Sequence, residues 1–355
     1  MKIGRSISEL AQEIERQSTA KVDYIADTRN LVMAPTEKGV DLIMRNGTDT
    51  RMGINTHAHR QIAERIQVPA KYYDKMLSQA PDLLAANVNH WFAAAPEKRM
   101  VRTLDGAARA FLSNRYQRID NLEVAETVLP ILSGVPGIEI VSAELTQSKL
   151  YIKAVTHHVR AEVKSRRVGD FVEAGVLISN SEIGMGAVAV TPFFHFLACL
   201  NGMVRNKEGM RSAHIGTRMD GDENLAEVLA DDTKRAIDRS VLLKVRDVVR
   251  AALDQAQLDR AVARMQETTT QMVTGDPAKA IEVLANDLVL TETERAGVLR
   301  HLISGGDLSR YGVMNAVTRT AEDANDYDRA TELETLGGRI LDLPAANWSR
   351  IAIAA

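Results

Sequence analysis

Apolar residues first recur at helical spacing in Ile7, Leu10, Ala11 and Ile14, behind Ser6 and Glu9 at capping-box spacing. A short helix is expected there. KVDYIA (21–26) and NLVMA (30–34) then read as a hairpin around Asp27 and Thr28, with VDLIMR (40–45) as a third strand. From Thr56 to Ala95 the period turns helical again. Thr56 is the expected N-cap, and Ala58, Ile62, Ala63 and Ile66 form the apolar stripe. Pro69 and Pro81 each end one helix and open the next.

Residues 98–196 alternate with a period of two. KRMVRT and ARAFLS flank a Leu-Asp-Gly turn, and IEIVSAEL and KLYIKAV flank Thr146, Gln147 and Ser148. Between them NLEVAETVLPIL reads as a helix starting after Asp120. HVRAEVK, DFVEAGVLISNSE and GAVAVTPFFHF follow as further strands. After about Asp220 the strand pattern stops and amphipathic helical stretches run to the end, with Trp348 and Ile351 expected to dock the tail. The expected fold class is α+β: an antiparallel β-rich part with packed helices over 1–219, and an all-helical region over 220–355.

Charge adds an asymmetry to this plan. Lys and Arg against Asp and Glu number 18 and 18 over residues 1–148, 10 and 5 over 149–219, and 16 and 24 over 220–355. The middle is basic and the helical region acidic. Aromatic residues are scarce, at 4%, which argues against a site built from many stacking platforms. Cys199 is the one cysteine, so an intrachain disulfide and a four-cysteine zinc site are excluded. No apolar run reaches the length of a membrane span, and a cytoplasmic protein without a membrane partner is expected.

Motifs for hydrolysis or nucleotide cleavage do not occur: there is no Gly-x-Ser-x-Gly, no His-Glu-x-x-His and no phosphate loop of the Gly-x-x-x-x-Gly-Lys-Ser/Thr type. Gly184 and Gly186 lie between strands, where a turn is the expected role. Cys199, within FFHFLACL, is expected to be a packed core thiol, and the histidine spacing demands no metal. No cofactor is implied. AHRQIAERIQVPAKYYDKM has the outline of a helix-turn-helix, but a helical hairpin burying Ile62, Ile66, Tyr72 and Met76 is the preferred reading.

The cations carry the functional expectation. Arg102, Arg109, Arg115 and Arg118 fall within VRTLDGAARAFLSNRYQRIDN, Lys164, Arg166 and Arg167 at a hairpin edge, and Arg205, Lys207, Arg211 and Arg218 around two glycine turns. Strand alternation could bring them onto one face as a groove for a sugar-phosphate backbone, with Tyr116 packing on sugar or base.

VRTLDGAARAFLSNRYQRIDN, KLYIKAV, VGDFVEAGVLISNSEIGMGAVAV, CLNGMV, SAHIG and DRATELETLGGRIL together resemble the phage/plasmid-like protein family, domain of unknown function 932, over about residues 40 to 340. The resemblance implies a protein of a mobile element and no defined activity. The expectation is a non-enzymatic, homo-oligomeric protein that binds or anneals single-stranded DNA, as in recombination. The alternative is an oligomeric structural or assembly protein without affinity for nucleic acid.

Overall fold

The computed structural model describes residues 1–354 except 38, 46, 166–167, 207–208 and 213–230, and gives the backbone alone for 211, 212, 231–235, 237, 238 and 242. The chain opens with α1 (Ile7–Ala20), whose Ser6 and Glu9 close the expected capping box. There follow β1 (Lys21–Asp27), β2 (Leu31–Thr36), β3 (Gly39–Met44), β4 (Thr50–Ile54), α2 (Thr56–Arg65), α3 (Ala70–Gln79), α4 (Pro81–Ala94), β5 (Lys98–Leu104) and β6 (Ala107–Ser113). The strands form one sheet in the order β1-β5-β6-β4-β3-β2.

The expected hairpin of 21–26 with 30–34 does not form. β1 pairs with β5 and β2 with β3, so the two stretches lie on opposite edges of the sheet. The cause is local. Thr28–Asn30 make a 3-10 turn capped by the Asp27 side chain, and the Thr28 hydroxyl donates to the Phe92 carbonyl, so the chain crosses beneath α4. The Leu-Asp-Gly hairpin forms as expected: Asp105 and Gly106 both have positive φ, at 51° and 77°. α2, α3 and α4 cover one face, burying Ile62, Ile66, Tyr73, Met76, Val88 and Phe92. Tyr73 takes the core place expected of Tyr72, and Asn55 caps α2 one residue before Thr56.

The second sheet comes after α5 (Asn121–Ser133). It comprises β7 (Ile138–Leu145), β8 (Leu150–Glu162), β9 (Phe171–Asn180), β10 (Val188–Phe196), β11 (Asn201–Val204) and β12 (Met210–Ser212), in the order β11-β10-β9-β8-β7 with β12 also on β10. The helices that follow are α6 (Asp231–Ala252), α7 (Gln255–Thr268), α8 (Pro277–Leu288), α9 (Glu292–Gly305), α10 (Arg310–Thr320), α11 (Tyr327–Leu341) and α12 (Ala345–Ala352).

Alternation gives this sheet two different faces. On one, Ile152, Val176, Ile178 and Val190 pack against α1, α5 and α6. Further along, Val172, Phe194, Phe196 and Met203 share a core with Leu258, Val313, Leu336 and the docked Trp348. The helical third is thus wrapped onto the sheet and shares its core. α11 crosses the other face, where Tyr327 meets Tyr151, Leu177 and Phe193. Gly338 permits that crossing, since a Cβ there would run into the Val204 carbonyl. Lys153 and Glu334, both fully buried and 2.6 Å apart, pin α11 to β8.

Candidate functional site

The arginine-rich segment 101–121 does not open into a groove. It forms a buried ionic junction between the two sheets. Arg102 on β5 is fully buried. Its Nε donates to Asp23 of β1 at 2.9 Å, Nη2 to Asp120 at 2.7 Å and Nη1 to the Glu182 carbonyl at 2.9 Å. Arg109 on β6 donates to the Glu182 carboxylate at 2.5 Å. Glu182 also accepts the Asn121 backbone N–H at 2.7 Å, and Lys21 lies 2.6 Å from Asp120 and 3.5 Å from Glu182. Three cations thus meet three carboxylates. Burial works to lower the Arg102 pKa, but Asp120 and Asp23 outweigh it and raise the value. Burial likewise opposes ionisation of Asp120, and Arg102 and Lys21 outweigh it and hold the carboxyl below its ordinary value.

The predicted cation set divides accordingly. Arg102 and Arg109 are consumed by the junction. Arg205 is buried as well, donating through Nε and Nη2 to Asp342 at 3.1 and 3.0 Å. Each is held by carboxylates away from solvent, so these three do not face a phosphate backbone. Tyr116 is half-buried with its hydroxyl donated to the Ser181 carbonyl at 2.9 Å, so it does not offer a free ring face for sugar or base. Arg115 and Arg118 are exposed beside the junction, Arg118 within 3.5 Å of Asp23. Lys164 is exposed just beyond the C-terminal end of the 13-residue β8, whereas the junction lies at the strand's N-terminal end, where Leu150 pairs with Asn180. Arg166, Arg167, Lys207 and Arg218 lie outside the described residues, and for Arg211 the backbone alone is described. The described members therefore do not line one trough.

Where the sheet is open beside α11, a cleft of about 570 Å³ remains, a size suited to a small ligand. Its floor is a cross-strand row. Register pairs Tyr151 with Ser179, Ser179 with Ala189, and Ala189 with Arg211. Lys149 lies at the β8 end of the row and Thr191 beside it. Small side chains at Ala187 and Ala189 keep the floor low. The wall is the first half of α11, with Asp326, Asp328, Thr331, Glu332 and Thr335.

Among the described residues Lys149 has no ion-pair partner. Thr331 is 5% exposed and its hydroxyl also lacks a partner. Asp328 accepts from the Thr146 hydroxyl at 3.0 Å, and Arg329 is drawn outward onto Glu294 at 2.6 and 2.8 Å. Glu332 pairs with Arg329 at 2.6 Å and Asp326 accepts the Arg329 backbone N–H at 2.7 Å, so the charge that faces the cleft without an ion pair or hydrogen bond among the described residues is the Lys149 ammonium. The sequence reading missed the cleft because these residues come from segments nearly two hundred positions apart. The one available signal was Thr331 and Thr335, polar at i,i+4 in an otherwise leucine-lined helix.

Two histidines also gather on this face, away from the cleft. The His157 Nδ1 lies 2.7 Å from Glu173, its Nε2 lies 2.9 Å from Glu139, and the His195 Nδ1 lies 3.3 Å from Glu173. The two carboxylates raise the His157 pKa. Asp170 is bound to Tyr311 and Ser165, and His214 lies outside the described residues. No protein-family model, curated protein or solved structure matches this chain.

Proposed function

We propose that the protein binds a phosphate-bearing, polyhydroxylated ligand, on the scale of one nucleotide, in the cleft between the central sheet and α11. The observation that carries this reading is the floor. It is a row of small and hydroxylated residues with Lys149 at one end and the register position of Arg211 at the other. Lys149 would hold phosphate oxygens. Asp326 and Glu332 are exposed, and beside their bonds to Arg329 each keeps a second carboxylate oxygen that could accept from a sugar hydroxyl. The volume fits a nucleotide unit rather than a strand running across the molecule. Among the expected cations that are described, Arg211 is the one whose backbone falls beside this site, so the single-strand expectation shrinks from a long groove to one nucleotide.

Salt dependence tests the reading. Fluorescence anisotropy of a labelled five-nucleotide dT strand should give a log–log salt slope of about −0.7 for the Lys149 contact. The eleven-cation groove would give about −8. Ala189→Trp, which fills the floor, should abolish binding while leaving the melting temperature close to that of the parent. Steep salt dependence indifferent to Ala189→Trp would overturn the cleft, as would no binding of either this strand or thymidine monophosphate.

A further inference from the structure

The first sheet has two edges, and the protein closes one of them. At β2 the side-chain amide of Asn89 on α4 takes both backbone groups of Met33. Its Oδ1 accepts the N–H at 2.7 Å and its Nδ2 donates to the carbonyl at 2.8 Å. Pro35, two residues on, has no N–H to offer. A further strand finds no regular ladder there.

β1 forms the opposite edge, paired with β5 along all seven of its residues. No strand lies beyond it among the described residues. Free charges commonly guard such an edge, but the charges of β1 are answered within the chain. Lys21 lies 2.6 Å from Asp120, Asp23 2.9 Å from Arg102, and Asp27 2.8 Å from Arg29. Between them Val22 and Ile25 are 47% and 58% exposed. Both are β-branched residues that pack well beside a neighbouring strand.

We propose that β1 is an interface between two copies of this chain, paired antiparallel across a two-fold axis so that their first sheets join into one. The occupant follows from the strand's own sequence, Lys-Val-Asp-Tyr-Ile-Ala-Asp. With Tyr24 on the axis, Lys21 stands opposite Asp27 of the second copy, and Val22 stands opposite its Ala26. The adjacent registers are worse, because like charges then face each other. With Asp23 on the axis the two Asp23 side chains meet. With Ile25 on the axis Asp23 meets Asp27. β1 is thus complementary to itself in one register, and the two-fold uses each contact twice. Two short strands bury little area, so the dimer belongs to the weaker class of interface and forms as concentration rises.

Sedimentation velocity of the full chain across a concentration series should show a monomer–dimer equilibrium. Ile25→Asp sets a carboxylate opposite Asp23 twice and should weaken the dimer about tenfold. Ile25→Lys sets an ammonium there and should preserve it. Both variants should keep the circular dichroism of the parent. Disulfide formation reads the register, in a Cys199→Ser background that removes the one native cysteine. Tyr24→Cys should cross-link the two copies, since facing Cα atoms lie about 4.5–5.5 Å apart. Val22→Cys should not, because the two copies of that position lie four residues apart along the strand. A chain that stays monomeric throughout the series would overturn the proposal. So would a dimer that both Ile25 variants weaken equally or leave unchanged, or one whose folded Tyr24→Cys variant does not cross-link.

Discussion

At the junction, Lys21, Arg102 and Arg109 meet Asp23, Asp120 and Glu182 within 3.5 Å. In the cleft, Lys149 and the Thr331 hydroxyl meet no partner among the described residues. Both regions join the sheet to something else, one to the other sheet and one to α11. The difference follows from solvent. Charges sealed between two sheets are tolerable only if each is answered locally. The Lys149 ammonium, half-exposed beside an open cleft, is hydrated and can wait for a ligand. A dense run of arginines therefore marks a place where the chain must neutralise itself as readily as one where it meets a polyanion.

The largest effect should come from breaking the junction on one side. Glu182→Ala leaves Arg109 and Lys21 without their shared carboxylate and the Asn121 N–H without its acceptor. A loss of about 3–5 kcal/mol in urea unfolding is expected. Asp328→Asn in the cleft wall should cost less than about 1 kcal/mol. Equal losses for the two would erase the contrast between them.

The buried pair under α11 sharpens the same contrast. Lys153→Met strands Glu334 in the core and should cost about 3–5 kcal/mol, whereas the double variant Lys153→Met/Glu334→Leu should recover most of it. If the single and double variants unfold at the same urea concentration, the pair contributes through packing alone.

Two histidines give opposite acid responses. Burial against Tyr73 pushes His59 down to about 4, so it is neutral when folded. Its contribution is present above the ordinary histidine value near 6.5 and is lost as pH falls toward 4, on the order of 3 kcal/mol in all. The pKa of His157 is raised by Glu173 and Glu139, so its contribution is full below about 6.5 and is lost as pH rises through the raised value. Unfolding followed by NMR from pH 8 to 4 should show the His59 region loosening on acidification. His59→Phe should flatten that limb, and an unchanged slope would remove the assignment.

How far the sequence could be read depended on how local each determinant is. Capping at Ser6 and Asp120, the Asp105-Gly106 turn and the three helices divided by Pro69 and Pro81 are set by neighbouring residues, and all were legible. The β1–β2 hairpin was misread because Thr28 is claimed by the distant Phe92 carbonyl. At Arg102 the pattern showed that the residue lies in a strand but not that Asp23 and Asp120 would meet it. The cleft was illegible for the same reason, because Lys149 and Thr331 become neighbours only when α11 crosses the sheet at Gly337 and Gly338.

The smallest effects should separate exposed cations from the cleft. Arg115 is exposed and is not among the residues lining the cleft, whereas Lys149 lines it. Both changes to alanine should leave stability within about 0.5 kcal/mol. Lys149→Ala should nevertheless weaken binding of the five-nucleotide dT strand about tenfold, as expected for one charge-assisted contact. It should also flatten the salt slope by about 0.7. Arg115→Ala should leave affinity and slope where they were. If the two variants lose affinity equally, the ligand is drawn by diffuse surface charge and the cleft contributes no specific contact. If Arg115→Ala is the one that matters, the nucleic acid lies along the junction rim, and the open groups beside α11 serve something else.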